Sequence, residues 1–113
     1  MRLESAQALG PGLFESAYEA CMFYELKKSG ILVERQKPLP LIYEEVKLDV
    51  GYRVDLIIEN KIIIEIKSVE ALNDIHIAQE LTYLKLSDCK LGMLLNSNVT
   101  LIKSGIKRIT NNL

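Results

Sequence analysis

The first long stretch of helix-forming residues runs from residue 13 to residue 29. It contains no Pro or Gly, and it ends in Lys27 and Lys28 just before Gly30. Basic side chains in the last turn favour the carboxyl end of a helix, and a Gly allows the chain to leave it. The sequence therefore predicts a helix here. One face of this helix would carry Glu15, Tyr18, Glu19, Met22 and Leu26.

Two acidic side chains, Glu15 and Glu19, share that face with apolar neighbours. One explanation is that they lie near the start of the helix and interact favourably with its macrodipole. The other is that one of them points at the same site as the acidic residues of the following strands. The sequence leaves both explanations open.

The period of the apolar residues changes to two after the helix, which predicts strands. Residues 31–37 fit a strand that becomes exposed towards its end. Pro38 and Pro40 exclude this segment from the middle of a sheet, because proline lacks a main-chain N–H donor. Residues 41–43 and 46–48 fit a short hairpin, which we expect at a sheet edge.

Two runs rich in β-branched residues, 54–58 and 62–66, are separated by three residues and predict a second hairpin. Counting back from that loop places Asp55 opposite Glu65. Opposite side chains have Cβ atoms about 4.5–5.5 Å apart, where like charges destabilise the pair. Buried charges are costly unless they are paired or bound, and a divalent cation would make this pair favourable.

A second helix is predicted by a capping residue at Asn73 or Asp74 and by good helix formers up to about Ser87. His76 is the single histidine of the chain, and a lone histidine is more often a hydrogen-bonded structural residue than a ligand. The expected apolar face consists of Ile77, Leu81 and Leu84. The expected polar face consists of His76, Gln79 and Tyr83.

Strands are predicted again after the second helix. Residues 91–95 and 99–103 are mostly apolar, and residues 96–98 fit the turn between them. Residues 105–113 form either a short edge strand or a frayed tail. The pattern of helices and strands thus predicts an α/β fold.

Composition limits the size and the surface of the protein. A chain of 113 residues with 49% apolar and 26% charged residues fits one globular domain over residues 1–113. Its net charge is −1 and its pI is about 5.8, which argues against a large basic surface that holds nucleic acid by counterion release. Any binding of nucleic acid would be local or assisted by a metal ion.

The cysteines and the hydropathy favour a cytoplasmic location. Cys21 and Cys89 lie far apart without the spacing of a zinc site, so we expect two reduced and mostly buried thiols. No apolar run approaches the ~20 residues of a membrane helix, and the amino terminus lacks a signal pattern. We therefore expect no membrane contact.

The strand residues resemble the signature of the PD-(D/E)xK nuclease superfamily. Asp55 is followed by Glu65, Ile66 and Lys67, which is an acid followed by E-x-K. A more specific resemblance, covering residues 10–109, is to the GxxExxY family of small bacterial and archaeal proteins. Its matching segments here are Gly12-Leu13-Phe14-Glu15-Ser16-Ala17-Tyr18, then Glu19 and Glu25-Leu26, then Tyr52-Arg53-Val54-Asp55, then Gln79, and then Tyr83-Leu84-Lys85-Leu86.

The chain departs from that family at its start. Family members usually have a longer helical segment before the glycine, whereas residues 1–9 stand in its place here. We therefore expect an amino-terminal helix that is incomplete or a sequence that has been shortened. The resemblance implies a restriction-endonuclease-like core, which is a central mixed β-sheet flanked by helices in the order αβββαββ.

The resemblance also implies roles for individual residues. Asp55, Glu65 and the main-chain carbonyl of Ile66 would bind Mg²⁺ or Mn²⁺, which prefer oxygen ligands. Lys67 would orient or help to deprotonate the attacking water. The acid on the first helix would be Glu15 or Glu19, and it would hold a metal-bound water or a second ion. The second helix would contribute Gln79 to the site and Tyr83 and Lys85 to contacts with nucleic acid.

Arg53 has two possible roles that the sequence does not separate. It could bind a phosphate through both guanidinium nitrogens, or it could pair with Glu19. A third arrangement has no ligand at all, with Arg53 and Lys67 in a buried ion-pair network with Asp55 and Glu65. Two acids that face each other are a poor structural solution without a cation, so this arrangement is the least favoured of the three.

Two classes of function follow from these residues. The first is a metal-dependent nuclease that hydrolyses phosphodiester bonds of DNA or RNA. The second is a module that keeps the nuclease fold without turnover and binds nucleic acid or another protein. A homodimer is also expected, because the chain is short and the first helix has a second apolar face, made of Ala17, Ala20, Cys21 and Tyr24.

Overall fold

A computed structural model describes residues 11–98 and 105–111 of the chain. Two helices and seven strands lie within these ranges, and the helix predicted for residues 13–29 is confirmed. In chain order the elements are α1 (Pro11–Lys28), β1 (Val33–Pro38), β2 (Leu41–Tyr43), β3 (Val46–Leu48), β4 (Arg53–Ile58), β5 (Ile62–Lys67), α2 (Asp74–Ser87), β6 (Leu91–Asn96) and β7 (Ile106–Thr110).

Five strands form one mixed sheet in the order β1-β4-β5-β6-β7. Strands β5 and β6 are parallel and are joined through α2, whereas the other neighbours are antiparallel. The elements around this sheet follow the predicted order of helix, three strands, helix and two strands. The strands β2 and β3 pair only with each other in the described sheets and form a separate hairpin between β1 and β4.

Strand β1 lies at an edge of the sheet, as its proline predicted. It begins at Val33, two residues later than the apolar pattern indicated, and it ends at Pro38. At the other edge, β7 confirms that the tail forms an edge strand. The strand predicted for residues 99–103 lies outside the described residues.

The hairpin between β4 and β5 has the predicted register, because Ile58 pairs with Ile62. Glu59 and Asn60 both have positive φ, and Lys61 N donates to Ile58 O over 2.9 Å. The chain thus reverses within the three-residue loop 59–61 that this register leaves between the strands, as the sequence predicted. The turn thereby fixes which residues of the two strands face each other.

The two helices pack on opposite faces of the sheet. Ile63 and Leu94 lie in one buried cluster, and their chain neighbours Ile64 and Leu95 lie in the other, because successive side chains of a strand point to opposite faces. The first cluster contains Tyr83 and Leu84 of α2, packed with the expected Ile77 and Leu81. The second contains Tyr18 of α1, packed with Met22, Phe23 and Leu26.

The start of α2 explains the single histidine. Asn73 Oδ1 accepts hydrogen bonds from the main-chain N–H groups of Ile75 and His76, at 3.0 and 3.2 Å. In return, Asn73 N donates to His76 Nδ1 over 3.1 Å, which completes a capping box. The structural role expected for His76 is confirmed.

The cysteines differ from expectation in one respect. Both are free thiols, as expected, and Cys89 is buried. Cys21, however, is exposed, so the expectation that both thiols are mostly buried is wrong. Cys21 lies on the face of α1 that points away from the sheet, next to the exposed Tyr24.

Candidate active site

Asp55 and Glu65 exchange side-chain hydrogen bonds with each other's strand. Glu65 Oε2 accepts from Asp55 N over 2.6 Å, and Asp55 Oδ2 accepts from Ile66 N over 2.7 Å. The paired ladder between β4 and β5 runs only from Ile58–Ile62 to Leu56–Ile64. The two carboxylates therefore accept main-chain N–H groups just beyond the last regular pair of the ladder, where the strands separate. These two hydrogen bonds hold the carboxylates side by side.

The surroundings of these two acids favour their neutral forms. Burial is the main cause that raises the pKa of Glu65 to about 8, and the nearby Asp55 carboxylate raises it further. Burial also raises the pKa of Asp55, although hydrogen bonds from Ile66 and Gln36 act in the opposite direction. Lys67 lowers both pKa values, but it does not offset the burial.

Glu19 approaches the same place from α1. It is 6% exposed, and its Oε2 accepts from Arg35 Nη2 at 2.9 Å and Arg35 Nε at 3.1 Å. Its Oε1 accepts from Gln36 Nε2 at 2.7 Å, and the same nitrogen donates to Asp55 Oδ1 at 3.2 Å. Gln36 thus connects the acid of the helix to the acid of the strand.

Of the two roles left open for Arg53, the pair with Glu19 is not formed, because Glu19 is bound by Arg35 instead. The Nη1 atom of Arg53 lies 3.9 Å from Asp49 Oδ1 and donates to the main-chain oxygen of Tyr52 over 3.3 Å. The proposed ion-pair network is not found either, since no ion pair in the described part of the chain joins Lys67 or Arg53 to Asp55 or Glu65. The side chain of Arg53 remains exposed.

Glu15 borders the site on its open side. Burial raises its pKa, Lys67 lowers it and Asp55 raises it, so both residues lie close enough to influence this carboxyl. A cavity of about 450 Å³ opens here. It is lined by Glu15, Ser16, Glu19, Arg35, Gln36, Asp55 and Ile66.

Lys67 lies on the face of β5 that is covered by α2. Its Nζ donates to Gln79 Oε1 over 3.1 Å, so the helix side chain holds the ammonium in place. Gln79, to which the resemblance assigns a role in arranging the site, therefore contacts Lys67. An ammonium held by a neutral amide keeps two N–H donors for other groups.

Sequence reasoning missed Glu80, which is 0% exposed. Neither of its carboxyl oxygens has a hydrogen-bond partner among the described residues. Its side chain lies over Gly92, where a Cβ atom would collide with Oε1 of Glu80. Burial raises the pKa of Glu80 to about 9, and the nearby Glu65 adds to this shift. Glu80 is therefore a neutral acid beside the carboxylates of the site.

The predicted contacts with nucleic acid lie in different surroundings. Lys85 is exposed on α2 and is free to meet a phosphate. Tyr83 is 6% exposed, packs in the core and has its ring centroid 5.8 Å from that of Tyr52. Little of its side chain is therefore left to contact a nucleic-acid backbone.

The donor atoms at this site suit a hard cation. The carboxylates of Asp55 and Glu65 and the carbonyl of Ile66 are oxygen ligands, which Mg²⁺ and Mn²⁺ prefer. The carboxyl groups of the buried Glu65 and the half-buried Asp55 lie side by side, and their raised pKa values indicate a lack of positive charge that a cation would supply. Within residues 11–98 and 105–111, no three His, Cys, Asp or Glu side chains are clustered closely enough to hold an ion. Water or substrate oxygens would therefore complete the coordination.

The mixed sheet with a helix on each face defines a restriction-endonuclease-like fold. A family model described as the PD-(D/E)XK nuclease superfamily matches residues 2–109, and the chain belongs to that superfamily. Nucleases of this superfamily generally use divalent metal ions such as Mg²⁺.

The crystal structure of SSO0001 is similar to this chain, with a TM-score of 0.69 and 25% sequence identity. The similarity covers 98% of this chain and 57% of that chain, so this chain spans little more than half of its length. No curated protein matches the sequence. None of the helices within the described ranges is long and apolar enough to cross a membrane.

Proposed function

We propose that this protein is a metal-dependent nuclease of the GxxExxY type that hydrolyses phosphodiester bonds of DNA or RNA. The observation that carries the proposal is the reciprocal hydrogen bonding of Asp55 and Glu65, at 2.6 and 2.7 Å, with Lys67 on the same strand. Two fixed carboxylates beside an ammonium supply the metal ligands and the cation that hydrolysis of a phosphodiester requires.

In this proposal Asp55, Glu65 and the carbonyl of Ile66 would hold one Mg²⁺ or Mn²⁺. Such an ion would supply a water of lowered pKa and would neutralise charge on the phosphate. The chain's own residues then orient the reactants. Hydrolysis forms a bond from the water oxygen to phosphorus and breaks one ester P–O bond, and the leaving oxygen takes up a proton.

Lys67 has two tasks at this step. Its Nζ is directed by Gln79, and its remaining N–H groups donate to the attacking water or to a phosphate oxygen. Glu15 and Glu19 both line the cavity next to Asp55, and Glu15 borders its open side, where a carboxylate accepts a hydrogen bond from a water. Arg53 and Lys85 are exposed and positively charged, so they are assigned to the nucleic-acid backbone.

A cleavage assay with labelled single- and double-stranded DNA and RNA, with Mg²⁺ or Mn²⁺, tests this proposal. Asp55→Asn and Lys67→Ala should each lower the cleavage rate by at least about 100-fold, because each removes a ligand or a charge at the reacting phosphate. Asp74→Asn and Lys61→Ala change the same residue types at exposed positions away from the site and should cleave at the wild-type rate. Equal rates in all variants would reject the proposal, and metal-dependent binding without cleavage would favour a binding module.

The proposed dimer and the cytoplasmic location remain predictions. The face of α1 that carries Cys21 and Tyr24 is exposed, as an interface between two copies would require in the separated chain. A dimer would also contact more phosphates along a nucleic acid than a single chain, whose net charge is −1. Sedimentation at micromolar concentration measures the mass, and a monomer there would reject this expectation.

A further inference from the structure

Gln36 is the residue of β1 that departs from the regular ladder with β4. Arg35 pairs with Leu56 and Lys37 pairs with Val54, so the register places Gln36 opposite Asp55. That pair is missing from the ladder, and Gln36 has a φ of 49°. A residue other than Gly in this left-handed region costs free energy. Such strain persists where the surrounding structure imposes it, and it is frequent at functional sites.

The unusual backbone directs the side chain of Gln36 between two acids from different elements. Its Nε2 donates to Glu19 Oε1 of α1 at 2.7 Å and to Asp55 Oδ1 of β4 at 3.2 Å. An amide nitrogen has two N–H groups, so one group serves each carboxylate. The opposite orientation of the amide would point its oxygen at two carboxylate oxygens, which only accept hydrogen bonds.

With the Gln36 hydrogen bonds in place, each carboxylate oxygen of Asp55 and of Glu19 accepts at least one hydrogen bond. Asp55 uses Oδ2 for Ile66 N and Oδ1 for Gln36, and Glu19 uses Oε2 for Arg35 and Oε1 for Gln36. Because like charges repel, the two carboxylates would move apart without a shared donor.

We infer that Gln36 is a positioning residue that fixes Asp55 relative to Glu19 and so sets the geometry of the metal-binding carboxylates. The inference rests on the proposed function, because it assigns to Gln36 a role at the proposed metal site. Groups that orient the ligands of a metal ion typically change its affinity 10- to 100-fold when they are removed.

Two substitutions separate positioning from a merely structural role. Gln36→Met keeps the length of the side chain and removes both N–H donors. Gln36→Gly also removes them, but it relieves the left-handed backbone, so it should be more stable in urea than Gln36→Met. Both variants should bind Mn²⁺ at least about 10-fold more weakly in calorimetric titration. Lys37→Met, on the adjacent residue whose Nζ contacts Asn60, should bind Mn²⁺ like the wild type.

Activity provides a second measurement. If Gln36 acts through the metal site, the Mn²⁺ concentration for half-maximal cleavage should rise in both variants, and saturating Mn²⁺ should restore much of the rate. Mn²⁺ affinity within threefold of the wild type in both variants would overturn the inference and leave the proposed nuclease standing. A wild-type protein that fails to bind Mn²⁺ would overturn both.

Discussion

Replacing Glu80 with Gln should make the protein more stable at neutral pH. Glu80 is fully buried, and its two carboxyl oxygens lack partners among the described residues. Burial raises its pKa from an ordinary 4.5 to about 9. At pH 7 the carboxyl is therefore neutral in the folded protein and ionised in the unfolded chain. Folding must then protonate the group at a pH well above its pKa in the unfolded chain, and this protonation costs free energy.

The sign and the size of this effect follow from the two pKa values. Because folding raises the pKa of Glu80, its contribution to the free energy of unfolding is fully present below pH 4.5 and is lost as the pH rises towards 9. Each pH unit in this window costs about 1.4 kcal/mol, so the loss at pH 7 is about 3 kcal/mol. That is a large part of the 5–15 kcal/mol that stabilise a typical domain. Any opening between α2 and β6 that lets water reach the carboxyl would reduce the loss.

Gln has nearly the same shape as Glu and is neutral at every pH, so Glu80→Gln isolates the ionisation. Urea unfolding followed by circular dichroism at pH 5, 6, 7 and 8 gives the free energy of unfolding of both proteins. The advantage of the variant should grow from below 1 kcal/mol at pH 5 to about 3 kcal/mol at pH 7. Glu70→Gln, at an exposed position, serves as the matched control and should show no such trend.

A constant difference between Glu80→Gln and the wild type over this pH range would refute the reasoning. It would mean that the carboxyl keeps an ordinary pKa, either because water reaches it or because it has a partner. The comparison holds only if the slope against urea concentration is the same in both proteins, since a changed slope indicates a changed unfolded or folded state.

Three further substitutions test contacts that stabilise the fold, two of them beside the site and one at the end of α2. Gly92→Ala should lower the free energy of unfolding by about 1–3 kcal/mol in urea, because the new Cβ meets the Glu80 carboxyl, and the loss should shrink in a Glu80→Ala background. Asp88→Gly should raise the thermal midpoint through a gain of about 0.5–1 kcal/mol, because Asp88 ends α2 with a φ of 60°. Arg35→Met should cost about 1–3 kcal/mol by leaving the buried Glu19 without its charged partner, and no loss in urea titrations would contradict the importance of that pair.

The central hairpin could be predicted from the sequence because short-range rules fix it. Two runs of β-branched residues and a loop of known length determine the register, and the register brings Asp55 to Glu65. The register did not predict how Asp55 and Glu65 interact, because it implies only that their side chains lie opposite each other. In the structure each carboxylate accepts a main-chain N–H from the other strand, at a point where the regular ladder has already ended.

Gln36 could not be predicted, because its role depends on a backbone angle and not on a pattern. A residue with ordinary strand geometry would have paired with Asp55 through the main chain. Only its φ of 49° turns the side chain towards Glu19. Arg35 was missed for a related reason, since the sequence offered Arg53 as an equally plausible partner of Glu19 and did not show which strand lies nearest to α1.

Glu80 carried a signal that helix geometry could have revealed. It lies three residues after Ile77 and four before Leu84, which places it beside the apolar stripe of α2. The spacing predicts that Glu80 faces the sheet. It does not show that a glycine on β6 leaves the space in which the carboxyl fits, because that contact joins residues on two separate elements.

Acidic groups outnumber basic groups at the site. Within the described residues, Arg35 and Lys67 are the only basic groups that contact or influence the five carboxyl groups in or beside the site. These five are Glu15, Glu19, Asp55, Glu65 and Glu80. Without a cation, those carboxyl groups that are ionised would repel a phosphodiester. On the proposed function, a divalent cation reverses the local charge and creates the attraction that a net charge of −1 does not supply. Affinity for nucleic acid should then depend on the metal more steeply than on the exposed basic residues.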